Sequence, residues 1–296
     1  MSIPRPQLGA PSAQSTPWFV HRSGVMAETA PGVLSDVLRL LQGDADPWAA
    51  SCPIGLWRVP KGVALYRESS RCDAIHVIRS GTFKCLKTLE DGYEQVLAFS
   101  RLGDVLGFEA AASNRHPYGV VALEDSSVYA LPLRELDAWR RQCAALDRAL
   151  MRSLGHQLER VGETAELMAA VAAEVRLARF LVALSGQMAA RGQSPTRLLL
   201  RMTRRDIASL LGVAHETISR GFALLAEWGL LRVDSREVEI INLDGLKACA
   251  RSTRRDMDDL SHRHAHTPAA PASLTGPRAA PVARPRTIQR DLAVAA

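Results

Sequence analysis

Residues 202–231 read MTRRDIASLLGVAHETISRGFALLAEWGLL. Ile207, Leu210 and Leu211 recur at helical spacing behind Thr203, a residue type suited to capping a helix start. Gly212 then interrupts the pattern. After Val213 and Ala214, a second segment places Ile218, Phe222, Leu225 and Leu224 on one face and Glu216, Ser219 and Arg220 on the other. Two short helices joined by a three-residue turn containing glycine make a helix-turn-helix, a motif whose second helix lays its first turns against base edges. The next stretch, GLLRVDSREVEIIN (residues 229–242), is two β-prone runs about a polar turn, which is the pattern of a wing.

The polar face of the second segment has a definite chemistry. Arg220 can offer two donors to guanine O6 and N7, Glu216 can accept from a cytosine or adenine amino group, and Ser219 can support either or touch a thymine methyl. His215 opens the same helix and joins this base-reading set. Thr203, Arg204, Arg205 and Thr217 surround it and are assigned to the phosphate backbone. Taken alone, E-x-x-S-R describes any solvated helix face. The turn, the wing and the basic run Arg201, Arg204 and Arg205 give it a nucleic-acid reading.

Working outward, the 296 residues exceed one ordinary core, so two domains are expected. Residues 54–133 are short β-prone runs broken by Gly, Pro and Asp-Gly about every ten residues, the texture of an antiparallel sandwich or barrel. Asp91-Gly92 marks a hairpin turn between KCLKTLE and YEQVLAF. Beyond Pro132 the pattern is helical. Met151, Leu154, Leu158, Val161, Ala165, Met168, Ala172 and Val175 alternate steps of three and four, a heptad seam of nearly four repeats. One helix cannot bury such a seam alone, and the small Ala165 and Ala172 allow a second copy to approach closely. A homodimer through Met151, Leu154, Leu158, Val161, Ala165 and Met168 is favoured over packing of the seam on the chain's own barrel. The expected organisation is a flexible segment over 1–46 with a short helix possible at VLSDVLRLLQG, a β-barrel over 47–138, a dimerisation helix over 139–175, a winged helix-turn-helix over 176–246 and a disordered basic tail over 247–296.

Composition sets the partners. The net charge of +6 suits a polyanion. Residues 251–296 contribute eight arginines against four aspartates, with a His262, His264, His266 run. No run of about 18 apolar residues is present and the amino end lacks a secretory pattern, so a cytoplasmic protein with no membrane partner is expected. The five cysteines, Cys52, Cys72, Cys85, Cys143 and Cys249, form no C-x-x-C pair, which argues against a zinc finger or a secreted disulfide framework. No catalytic constellation or metal site is legible. The competing class is an enzymatic or small-molecule-binding barrel with an incidental helix-turn-helix.

Over residues 56–247 the chain resembles the Crp/Fnr regulators of bacteria. The resemblance is carried by IHVIRSGTFKCLKTLEDGYEQVLAFSRLGDVLGFEAAASNRHPYGVVALEDSSVYALP and by GQSPTRLLLRMTRRDIASLLGVAHETISRGFALLAEWGLL, the latter close to the Fnr-like subgroup. It implies an α+β fold: a double-stranded β-helix sensor of the cyclic-nucleotide-binding jelly-roll type, a long dimerisation helix and a winged helix-turn-helix. It further implies that Glu216, Ser219 and Arg220 read a TTGAT half-site within an inverted repeat, with RNA polymerase as a partner. His215 stands where Fnr proteins carry an apolar residue and cyclic-AMP-responsive relatives carry Arg, which leaves the outermost base open. The sensor departs from its relatives. GFEAAASNRHPYG lacks the Arg-Ser or Arg-Thr that would hold a cyclic nucleotide phosphate. The subgroup's four-cysteine iron–sulfur pattern is absent as well: residues 1–51 hold no cysteine, and Tyr129 occupies the place of the internal one. His76, His116 and Cys72 are haem ligands in kind, without context to favour haem. No cofactor is expected, and the effector is unassigned.

Overall fold

The computed structural model describes residues 26–27, 32–111, 113–170 and 172–252. β1 (Met26–Ala27) and β2 (Gly32–Val33) pair with β3 (Pro53–Val59), and α1 (Leu34–Leu40) and α2 (Pro47–Ser51) lie between β2 and β3 in the chain. There follow β4 (Ala64–Tyr66), β5 (Ala74–Ser80), β6 (Thr82–Thr88), β7 (Glu94–Arg101), β8 (Val105–Leu106), β9 (Gly119–Ala122) and β10 (Ser126–Pro132). One antiparallel sheet runs β1-β3-β10-β5-β8, and the other runs β4-β9-β6-β7. Side chains alternate across the strands. Ile78 and Val128 turn inward with Phe83, Leu106 and Val120, whereas Ile75, Val77, Tyr129 and Leu131 turn outward under the helices. β10 is therefore buried along its whole length. The β6–β7 hairpin closes at Asp91-Gly92, with Gly92 at φ +81° and Tyr93 N donating to Asp91 Oδ1 at 2.9 Å.

α3 (Leu133–Gln142) leads into α4 (Ala144–Ala169) and α5 (Ala173–Ala189). The remainder is β11 (Arg197–Leu199), α6 (Arg204–Leu211), α7 (His215–Glu227), β12 (Leu231–Asp234), β13 (Glu237–Ile240) and α8 (Leu243–Arg251). Strands β11-β13-β12 form the wing sheet. Val175, Leu181, Ile207, Leu211, Ile218, Phe222, Leu225 and Leu246 share one apolar core beneath the two helices of the motif. The architecture is the α+β arrangement that the resemblance implies, with sensor barrel, long helix and winged helix-turn-helix in that order.

Three boundaries differ from the sequence reading. The short helix that VLSDVLRLLQG allows within the flexible segment 1–46 is α1, but it is no loose appendage: β2 precedes it, and Leu34, Val37 and Leu38 are buried in one cluster with Leu146, Ala149 and Leu150 of α4. An amphipathic patch of seven residues is too short to be stable alone, and it forms here because α4 covers it. The heptad seam runs to Val175 in the sequence, but the helix stops at Ala169. Ala170 and Ala172 are extended, and Val175 is buried in the core beneath α6 and α7. The expected tail begins at residue 247, yet α8 runs to Arg251 with Cys249 and Ala250 buried. The proposed basic extension beyond residue 252, with His262, His264 and His266, lies outside the described residues, as do residues 1–25.

Candidate nucleic-acid interface

α6 is started by a capping box. Thr203 Oγ1 accepts from Asp206 N at 3.1 Å and donates to Asp206 Oδ2 at 2.7 Å, while Thr203 N donates to the same carboxylate oxygen at 2.9 Å. Both of Thr203's protons are thus spent inside the chain, so the phosphate contact assigned to this side chain has no free donor. Gly212 ends α6 at φ +62°, a left-handed conformation that glycine adopts without strain. Its missing Cβ also matters: one built there would lie 2.7 Å from Met168 Cε.

The turn aims α7 outward. Ile218, Phe222 and Leu225 are buried, Leu224 is half-buried, and His215, Glu216, Ser219 and Arg220 are exposed on the opposite face. The four base-reading candidates therefore share one solvent-facing surface at the amino end of the helix. Glu216 and Arg220 make no ion pair with each other or with any other described residue. Ser219 differs, because its hydroxyl donates to His215 O at 3.2 Å, one turn back. What it offers outward is acceptor lone pairs.

Among the backbone candidates, Arg205 is exposed and Thr217 is half-buried. Arg204 is folded inward: its Cζ lies 3.4 Å from the centroid of the Phe222 ring, and Nη2 donates to Ser235 O at 3.2 Å. Arg201 pairs with Glu124 of the barrel at 3.1 Å.

Two features of this surface escaped the sequence reading. α7 has Ala214 at its N-cap, with no side chain to satisfy its first amides. Those donors and the helix dipole face the solvent, an arrangement suited to phosphate oxygens. The signal was legible as Ala where Ser, Thr, Asn or Asp is the rule. The second is Arg236, exposed at the tip of the wing, whose carbonyl accepts from Leu200 N at 2.9 Å.

The DNA-binding unit is seated on the barrel through α6 and β7. Lys84 Nζ is 3.0 Å from Asp206 Oδ1, with both side chains largely buried. Val96 N donates to Ser209 Oγ at 2.8 Å, and Ser209 Oγ donates to Glu94 O at 3.1 Å. Burial pushes the Asp206 carboxyl up, but the Thr203 hydrogen bonds and Lys84 outweigh it and hold the group below the usual carboxylate range.

Inside the barrel, the acid of the GFEAAAS stretch, Glu109, is already engaged. Glu109 Oε1 accepts from the Tyr66 hydroxyl at 2.7 Å, Oε2 accepts from Gly107 N at 2.9 Å, and His116 Nδ1 lies 3.6 Å from Oε1. The His116 ring is stacked on Tyr66 with centroids 3.6 Å apart. Arg115 donates to Ser69 O at 2.7 Å on the exterior, so its guanidinium does not face into the barrel for a phosphate. These residues do not fit a cyclic nucleotide. Nor do the thiols fit an iron–sulfur cluster. All five are buried and free, with Cys52 and Cys143 in the helix-side cluster, Cys85 between the sheets and Cys249 in the DNA-binding core. Burial pushes Cys52 and Cys72 up to about 11 and Cys85 up to about 12, the reverse of what a thiolate ligand needs. Among the described residues no helix is long and apolar enough to cross a membrane.

Comparison with known proteins agrees with this geometry. Residues 56–143 match the cyclic nucleotide-binding domain family, and residues 175–249 match the Crp-like helix-turn-helix domain. The chain is 35% identical over 190 residues to the transcriptional regulatory protein btr of Bordetella pertussis, covering 64% of this chain and 78% of that one. It is 36% identical over 196 residues to the fumarate and nitrate reduction regulatory protein of Salmonella typhimurium, covering 66% and 78%. The structure of FixK2 from Bradyrhizobium japonicum superposes with a TM-score of 0.58 at 24% identity, covering 67% of this chain and 98% of that one, a likeness of fold. With a sensor barrel, a long connecting helix and an outward-facing helix-turn-helix in one chain, and with relatives of this identity and coverage, the protein belongs to the Crp/Fnr family of transcriptional regulators.

Proposed function

We propose that this regulator acts as a homodimer that reads an inverted repeat of TTGAT-like half-sites in double-stranded DNA, one half-site per α7, and addresses RNA polymerase from there. The observation that carries the reading is the free face of α7, where Glu216 and Arg220 are exposed and uncommitted above the buried Ile218, Phe222 and Leu225. Arg220 supplies two donors to a guanine and Glu216 accepts from an amino group of a neighbouring pair. Arg205, Arg236 and the uncapped start of α7 supply contacts to phosphate. A second copy is supported by α4, which exposes Met151, Leu158 and Val161 at steps of seven and three, a stripe that a partner α4 would cover. Two half-sites then fall about one helical turn apart, roughly 10 base pairs between centres. The engaged Glu109 and the buried thiols favour a sensor that works without nucleotide or cluster. Equilibrium binding to the inverted repeat and to a scrambled duplex at several salt concentrations tests the reading. A clear preference for the repeat is expected, and equal affinity for both at every salt concentration overturns it.

A further inference from the structure

An arginine at the first position of α6 is placed to reach a phosphate with a free head, but Arg204 is not free. Its Cζ lies over the Phe222 ring of α7, 3.4 Å from the centroid, and its Nη2 donates to Ser235 O in the turn between β12 and β13. Its Nη1 is buried and has no hydrogen-bond partner. The amino end of α6, the recognition helix and the wing turn therefore meet on one planar group. Ser235 sits at φ +52°, a left-handed conformation that a residue other than glycine keeps only when its surroundings hold it there. Two supports hold that turn: Arg204 on Ser235 O, and Leu200 N on Arg236 O at 2.9 Å. A lysine could not replace the first, since an ammonium has no plane to stack and no second fixed donor.

The geometry points to Arg204 as a positioning residue that locks the wing turn to the recognition helix and so sets where Arg236 stands on the duplex relative to Arg220. This rests on the DNA-reading role of α7 proposed above, which the test must be able to separate. In a dimer the two α7 helices must meet their half-sites in register. A wing free to swing would blur the distance between its own phosphate contact and the bases read by α7.

The test uses the full chain and the variants Arg204→Lys, Arg204→Ala, Phe222→Leu and Arg204→Ala with Phe222→Leu. Hydrogen–deuterium exchange at residues 232–238 is measured without DNA, and binding is measured on the inverted repeat and the scrambled duplex across salt concentrations. Arg204→Lys and Arg204→Ala are both expected to speed wing-turn exchange and to weaken binding to the repeat by about tenfold per half-site, the scale of losing a stacked, charge-assisted contact. The salt slope and the scrambled-duplex affinity should hold, and the double variant should be no worse than the poorer single one. The proposal is overturned if Arg204→Lys binds like wild type while Arg204→Ala shrinks the salt slope by about 0.9, the signature of a phosphate contact. If wild type itself does not prefer the repeat, the DNA reading fails, and exchange alone decides: an unchanged wing turn in Arg204→Lys overturns the positioning role. Should Arg204→Ala fail to fold, Arg204→Lys and Phe222→Leu carry the same comparison.

Discussion

Ser219 and Arg220 are neighbours on α7 with unequal freedom. The Ser219 proton is held by His215 O, whereas the Arg220 guanidinium makes no ion pair among the described residues. Base discrimination should accordingly rest on Arg220. Arg220→Ala is expected to lose about 1–3 kcal/mol per half-site on the repeat while leaving the scrambled duplex nearly unaffected. Ser219→Ala should cost less than about 1 kcal/mol, the scale of one hydrogen bond already satisfied internally. Arg205→Ala should weaken binding to every duplex and reduce the salt slope by about 0.9. Titrations on both duplexes at three salt concentrations check all three. The exposed face of α7 was legible because helical spacing alone decides which side chains face a core. The internal commitments of Ser219 and Arg204 were not legible, because each depends on where a particular acceptor or ring ends up.

α4 ends without any of the residues that usually end a helix. The stretch around Ala169 and Ala170 is AAVAA, among the best helix formers, and a continuous helix to Val175 was the natural reading. The chain turns there because Ala170 and Val175 are buried in the DNA-binding core. Carbonyls at and near the break are taken up by α5: Arg176 Nε donates to Ala170 O at 2.6 Å and Arg179 Nη1 to Glu166 O at 2.7 Å. Arg176 also reaches Leu211 O at the end of α6, at 2.8 Å. Arg176→Met should therefore destabilise the fold by about 1–3 kcal/mol, because buried carbonyls lose a charged donor. Its urea midpoint should fall, with faster amide exchange around residues 166–173. If neither changes, the break has another cause. On the same helix, Leu158→Glu with Val161→Glu should give monomers by light scattering, since two like charges per chain would meet across an apolar seam. A persistent dimer would remove α4 from the interface.

Across the whole molecule, the sensor and the reader are joined by a polar seam at the edge of a sheet. β7 is the last strand of its sheet, and its Val96 amide, which would otherwise be buried without a partner, donates to Ser209 of α6. Lys84 and Asp206 complete the contact, and the Phe99 and Phe180 rings meet edge to face beside it at 6.3 Å. Asp206 titrates below its usual value in the folded protein, so its share of stability is present above the unfolded carboxyl range near pH 4 and is lost as pH falls through the native value. Asp206→Asn should lower stability at pH 7 by about 1–3 kcal/mol, and its urea midpoint should fall less than that of wild type between pH 5 and pH 3. Parallel curves for the two proteins would show that the pair does not carry this dependence.

The sequence by itself determined the order of the parts and the chemistry of the reading face. Helix periodicity, the Gly212 turn, the Thr203 cap and the Asp91-Gly92 hairpin are all relations between residues a few positions apart, and local sterics and solvation are enough to specify them. Tertiary structure decided the rest: the recruitment of α1 under α4, the break after Ala169, the inward turn of Arg204 and the seating of α6 on β7. Each depends on a partner that only folding brings within reach, as with Lys84 and Asp206, which are 122 residues apart in the chain and 3.0 Å apart in space. The free energy of such a contact comes from burial and from satisfying groups that the chain has already removed from water, and neither can be read from a window of neighbouring residues.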